Sequence, residues 1–136
     1  MRNVSCLCGA VQVRLSGEPA VQFYCHCDDC QATSGGAYVA LALYPADAVA
    51  LAKGELNTWT HKSMPRRHCA ACGTIVLAEV PGGQQIVIKA NLFPAGDFKP
   101  AFHEQCLYAV LPVQDDLPHY KGVPPQFGGT DETVGW

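Results

Sequence analysis

The chain has 136 residues, 49% hydrophobic and 15% charged, which fits one globular domain with a real core and leaves little room for a second. Only nine Lys and Arg stand against twelve Asp and Glu, a net charge of −3, and this argues against the broad basic surface that grips a nucleic-acid backbone. No window of about 18 apolar residues occurs, so no membrane span is expected. The opening stretch MRNVSCLCGAVQVRLSG lacks the apolar run of a signal peptide, and the expected location is cytoplasmic.

With 13 Gly and 10 Pro, the expected architecture is short strands and many turns, a mainly β fold. From Ala10 to Leu15, Val11, Val13 and Leu15 share one strand face and Gln12 and Arg14 the other, until Gly17, Glu18 and Pro19 end the run. Val21, Phe23 and Cys25 alternate again and lead into FYCHCDDCQATSGG, which puts Cys25, Cys27 and Cys30 on a turn at a strand end. AYVALALY, residues 37–44, is apolar on both faces and reads as a buried strand. Pro45 followed by ADAVALAKG predicts a short helix that Gly54 stops. LNTWT predicts a strand with Trp59 on its packed face, and HCAACGTIVLAEV a cysteine knuckle between strands. Pro81, Gly82 and Gly83 form a turn before the strand QIVIKANLF, and HEQCLYAVLP is the last strand expected. From Pro124 the chain reads as a loosely held tail, so residues 1–123 form the expected domain and 124–136 its tail.

Eight cysteines stand at 6, 8, 25, 27, 30, 69, 72 and 106. In a reducing compartment such clusters favour metal over disulfides. Cys6-Leu-Cys8 and Cys69-Ala-Ala-Cys72 are two bidentate pairs, together the four thiolates of a closed structural zinc, and Gly9 and Gly73 each follow the second cysteine of a pair. Metal held this way supplies about 10 kcal/mol or more of folding free energy, comparable to a domain's whole net stability.

Cys25, Cys27 and Cys30 overlay both spacings and offer only three thiolates, leaving a tetrahedral zinc one position for water or a substrate thiol. A thiol bound there is deprotonated and becomes a nucleophile. His26, Cys106 and His103 are the alternatives for a fourth ligand; His26 should point away from the metal, and Cys106 suits the core. His61, His68 and His119 have no partner at ligand spacing and are expected at the surface or in local hydrogen bonds. A redox relay would want a βαβ context, which the sequence lacks.

CLCGAVQV, CHCDDCQATSGGAY, RRHCAACGTIVL and LPVQDDLPHYKGVPP together resemble the family of glutathione-dependent formaldehyde-activating enzymes, which includes centromere protein V. The resemblance implies a single-domain β-tent (Mss4-like) fold with a structural zinc on Cys6, Cys8, Cys69 and Cys72. It implies a second zinc on Cys25, Cys27 and Cys30, two ions per chain. It also implies a carbon–sulfur lyase-type reaction joining a small thiol such as glutathione to an aldehyde such as formaldehyde, with those three cysteines catalytic. Ser34, Gly35 and Gly36 come after the open site and either bind substrate or only make a turn. Arg66, Arg67, Lys62 and Lys53 are the cations available to a substrate carboxylate, each otherwise a solvated surface charge. The alternative to an enzyme is a noncatalytic zinc-stabilised module that binds a protein partner.

Overall fold

In the computed structural model, which describes residues 1–136, β1 (Arg2–Ser5) and β2 (Gln12–Leu15) pair antiparallel. β2 buries Val13 and Leu15 and exposes Gln12 and Arg14, the alternation read from the sequence. β3 (Val21–Cys25) runs into the first cysteine cluster, but the chain then enters a short helix, α1 (Asp28–Ser34), in place of the simple turn expected. Cys27 caps that helix and Asp28 and Asp29 fill its first turn, where the exposed N–H groups favour negative charge.

β4 (Val39–Pro45) is the central buried strand. Ala40, Ala42 and Tyr44 join one core cluster with Val4, Val11, Val13 and Ile88, while Val39, Leu41 and Leu43 join a second with Phe23, Val87 and Phe102. An apolar run without alternation thus serves two cores, one on each face of its sheet.

The helix expected after Pro45 does not form. A single 3₁₀ turn covers Ala46–Ala48, and β5 (Val49–Lys53) then pairs antiparallel with β2, completing a three-stranded sheet. The ladder to β2 gives this backbone its partners and overrides a weak helical preference. β6 (Leu56–His61) and β7 (Met64–Cys69) form a hairpin, and β8 (Ile75–Glu79) and β9 (Gln85–Lys89) come next. Trp59 is not packed: β6 is an edge strand, and the indole is 51% exposed, stacked on His61 with ring centroids 5.4 Å apart.

The strand expected over HEQCLYAVLP shrinks to β10 (His103–Glu104), with a 3₁₀ turn after it at Cys106–Tyr108. Gln105 between them has φ +58°, which breaks the extended backbone. The larger sheet has the order β10-β3-β4-β9-β8-β7-β6, antiparallel except for the β10–β3 pair, so the fold is mainly β, with antiparallel sheets in one small domain.

Residues 124–136, expected to be loose, fold back onto this body. Pro124 is fully buried, Lys121 N–H donates to Glu132 O at 2.8 Å, Val134 N–H donates to His119 O at 3.0 Å, and the Trp136 ring lies 5.1 Å from both His26 and His119. No helix is long and apolar enough to cross a membrane.

Candidate metal centre

Both cysteine pairs of the first group sit on turns closed by the same bonds. Gly9 N–H donates to Cys6 O and Gly73 N–H to Cys69 O, at 3.1 and 3.0 Å, and both glycines take the left-handed conformation, φ +80° and +77°. The glycines therefore close the turns, while the N–H groups that reach sulfur come from Val11 to Cys6 at 3.2 Å and from Ala71 and Cys72 to Cys69 at 3.3 and 3.4 Å. Leu7 N–H donates to Thr74 Oγ1 at 3.1 Å and ties one turn to the other.

The Sγ atoms of Cys6, Cys8, Cys69 and Cys72 all lie within 4.8 Å of one another, with Cys6–Cys8 at 3.6 Å and Cys8–Cys69 at 3.8 Å. A tetrahedron with Zn–S bonds of about 2.3 Å has edges of about 3.8 Å. Disulfides, with sulfurs about 2.05 Å apart, are absent, and all eight cysteines are free. The Thr74 hydroxyl and backbone N–H groups pull the Cys72 thiol down to about 5, toward the thiolate a metal needs. The donor set fits zinc.

Cys25, Cys27 and Cys30 form the second group, their Sγ atoms likewise within 4.8 Å of one another. Cys25 and Cys30 are 3.6 Å apart, and Cys30 N–H donates to Cys27 Sγ at 3.2 Å. Bonds from Cys25 and Cys30 hold Cys27 below the usual thiol range, while Cys25 is pushed well above it by the same contacts and by burial. A cation bound here would hold all three as thiolates. No carboxylate or imidazole joins this group at ligand distance.

None of the alternative fourth ligands reaches it. His26 points away and meets His103, Nε2 to Nδ1 at 2.9 Å. His103 is in register with Tyr24 on the parallel β10–β3 pair, so Glu104, in register with Cys25, is the residue on the sulfur side. Cys106 is a buried core thiol outside every ligand group.

The three sulfurs open into a cavity of about 700 Å³ whose apolar wall includes Phe23, Leu41, Leu43 and Val87. Its polar lining includes Ser34, Arg66, Lys89 and Glu104. Arg66 Nη1 and Glu104 Oε1 are buried without a hydrogen-bond partner. Burial pushes the Glu104 carboxyl up to about 7 and lowers the Lys89 ammonium, which donates to Ser34 Oγ at 2.6 Å. At the mouth, Asp29 of α1 accepts from Lys62 at 2.8 Å and lies 3.2 Å from His61, pinning the β6–β7 hairpin tip.

Ser34 lines this cavity, whereas Gly35 and Gly36 line a separate shallow depression; Gly35 is the helix C-cap, φ +68°. Of the four cations considered, Lys62 and Arg66 line the cavity, Arg67 pairs outside with Glu79 at 3.5 Å, and Lys53 is exposed. Glu104 and the burial of Arg66 escaped sequence reasoning, because both depend on strand register. His119 is not a surface residue either, but is buried beside Asp115.

The family model described as "Glutathione-dependent formaldehyde-activating enzyme" matches residues 1–107. The chain belongs to this family. No curated protein sequence matches it. In structure the chain is similar to a Rhodobacter sphaeroides protein known from its crystal structure, with TM-score 0.58 and 16% identity over 69% of this chain and 89% of that one, a likeness that carries the fold alone. The family match takes in all seven sulfurs of the two groups as well as Arg66, Lys89 and Glu104, so the metal groups and the charged cavity lining lie within the shared region.

Proposed function

We propose that the chain forms or breaks an adduct between a small, carboxylate-bearing thiol of the glutathione type and an aldehyde such as formaldehyde, a carbon–sulfur lyase-type reaction. It would carry two zinc ions in its cysteine groups, one structural and one at the open three-cysteine site. The observation that carries this reading is that three clustered thiols open into a cavity which also holds the buried side chains of Arg66 and Glu104, each with one polar atom (Nη1 and Oε1) left without a partner.

Cys25, Cys27 and Cys30 would hold the zinc ion, which would supply Lewis acidity toward a substrate thiol. Arg66 and Lys89 draw in the carboxylate, and Ser34, already bonded to Lys89, orients it. Glu104 handles the proton: its carboxylate takes the thiol proton and returns it to the aldehyde oxygen as the sulfur–carbon bond forms. The carbonyl π pair becomes a lone pair on that oxygen, so the hydroxymethyl thioether forms with no proton left over. The reaction suits a reducing, cytoplasmic compartment, where free thiols persist.

The noncatalytic alternative has one observation in its favour, the exposed apolar run Leu107, Tyr108, Val110 and Leu111. Exchange spectroscopy on formaldehyde with a panel of thiols decides between the two. Adduct exchange faster than the uncatalysed reaction, selective for carboxylate-bearing thiols, supports the enzyme. An uncatalysed rate for every thiol, with both cysteine groups loaded, removes it.

A further inference from the structure

A third group of metal-type ligands lies apart from both cysteine groups. His103 and His119 are held side by side by a parallel bridge, in which His103 N–H donates to Pro118 O and Tyr120 N–H to His103 O, both at 2.9 Å. Asp115, one helical turn's spacing before His119, places one oxygen 2.7 Å from His103 Nε2 and the other 2.9 Å from His119 Nε2. The three ligand atoms lie within 4.8 Å of one another.

We propose that His103, Asp115 and His119 form a site for a first-row divalent transition-metal ion. Two imidazoles and one carboxylate are a donor set such ions favour over magnesium or calcium. The two rings are 0% and 7% exposed, so the nitrogens have been taken out of water. His119 Nε2, although near Asp115 Oδ1, lies off any hydrogen-bond direction and has no partner. Leaving a buried polar nitrogen unbonded costs about 1–3 kcal/mol, and a cation at this point would satisfy it.

The surroundings suit a loaded site. His103 Nδ1 meets His26 Nε2 at 2.9 Å, so with Nε2 turned to a metal the Nδ1–H donates to His26, in the place where a carboxylate or carbonyl usually orients a ligating histidine. Asp115 Oδ1 accepts from Leu117 N–H at 3.0 Å, and its side chain is 31% exposed, which gives an ion a path from solvent. Bonds of about 2.0–2.1 Å set tetrahedral ligand atoms roughly 3.3 Å apart, so loading opens each contact at Asp115 by about half an ångström. The partly exposed carboxylate has room to make that shift. Asp115 and His119 lie beyond the residues matched by the family model.

The test is titration of Co²⁺ into full-length protein already loaded with zinc at its cysteine groups. A third equivalent should bind with the weak visible bands of nitrogen and oxygen ligation and without the near-ultraviolet sulfur-to-cobalt band, and Zn²⁺ should displace it. In His119→Gln and in Asp115→Asn, each confirmed folded by circular dichroism, affinity for that equivalent should fall beyond the roughly 10–100-fold typical of losing a merely supporting residue. No third equivalent in the unsubstituted protein overturns the proposal, and so does a third equivalent that survives both substitutions. The titration of the unsubstituted protein reads the site even where a variant fails to fold.

Discussion

Cys30 N–H donates to Cys27 Sγ at 3.2 Å, so the second sulfur of the open cluster also caps the helix that carries the third. Serine is itself a favoured N-cap, which lets metal binding and folding be separated. Cys27→Ser should therefore stay folded, with the cap itself changed by less than about 1 kcal/mol, while losing one of the two thiolate-bound zinc ions and the stability that ion adds. Metal-to-protein ratios and thermal melts on one reducing preparation measure both. Retention of both ions would show that the cluster is not the ligand set.

The four-cysteine group behaves differently, because it joins the β1–β2 turn to the β7–β8 turn across the core. Its zinc is worth about 10 kcal/mol or more, as much as the net stability of a domain. Cys69→Ser should be largely unfolded, and a strong chelator should abolish the cooperative melt of the unsubstituted protein. A Cys69→Ser protein with an unchanged melt would reverse the roles assigned to the two groups.

What could be read along the chain, and what could not, divides at strand register. Val13 and Leu15 showed their buried face because alternation is local, and the two cysteine groups showed themselves because ligand spacing is local. Glu104 did not, since nothing in HEQC reveals that Glu104 rather than His103 stands beside Cys25; only the β10–β3 pairing decides it. Arg66 looked like a surface charge for the same reason, and the 46–54 segment looked helical until β2 supplied a partner for it. The packing of the tail depends on the rings of Trp136, His26 and His119, remote in sequence.

Because Glu104 and Arg66 have different tasks, their loss should show in different kinetic constants. Arg66→Gln removes a buried charged partner worth about 1.5–3 kcal/mol, so KM for carboxylate-bearing thiols should rise roughly 10–100-fold. Uncharged thiols should be little affected. Glu104→Gln keeps the shape and loses the proton carrier, so kcat should fall about 10²–10⁴-fold with KM nearly constant. Equal losses with charged and uncharged thiols in Arg66→Gln would remove the carboxylate role.

Gly54 distinguishes the observed strand and turn over 46–54 from a helix. It sits at φ +87° between β5 and β6, and a Cβ added there would lie 2.2 Å from the Ala10 carbonyl oxygen, against backbone rather than a movable side chain. Gly54→Ala should destabilise the protein by about 2 kcal/mol or more through this clash and the strained backbone. Denaturant unfolding measures it. A helix-stopping glycine in solvent would lose only the left-handed backbone preference, about 1 kcal/mol, so a loss no larger than that would contradict the close approach to Ala10.

Cys106 is the eighth thiol, outside every metal group, and it should be chemically silent. Burial pushes its thiol up to about 12, so the thiolate, the species that alkylates, is suppressed in the folded protein. An ordinary thiol near 8.5 is about one-quarter ionised at pH 8, whereas one near 12 is ionised about one part in ten thousand, a rate difference of roughly three orders of magnitude. Labelling by iodoacetamide should therefore be negligible at pH 8 in the folded protein and reach the free-thiol rate once the chain is unfolded. Mass spectrometry of zinc-loaded protein locates the label. Rapid modification of Cys106 in the folded protein at pH 8 would show that it is not the buried neutral thiol described.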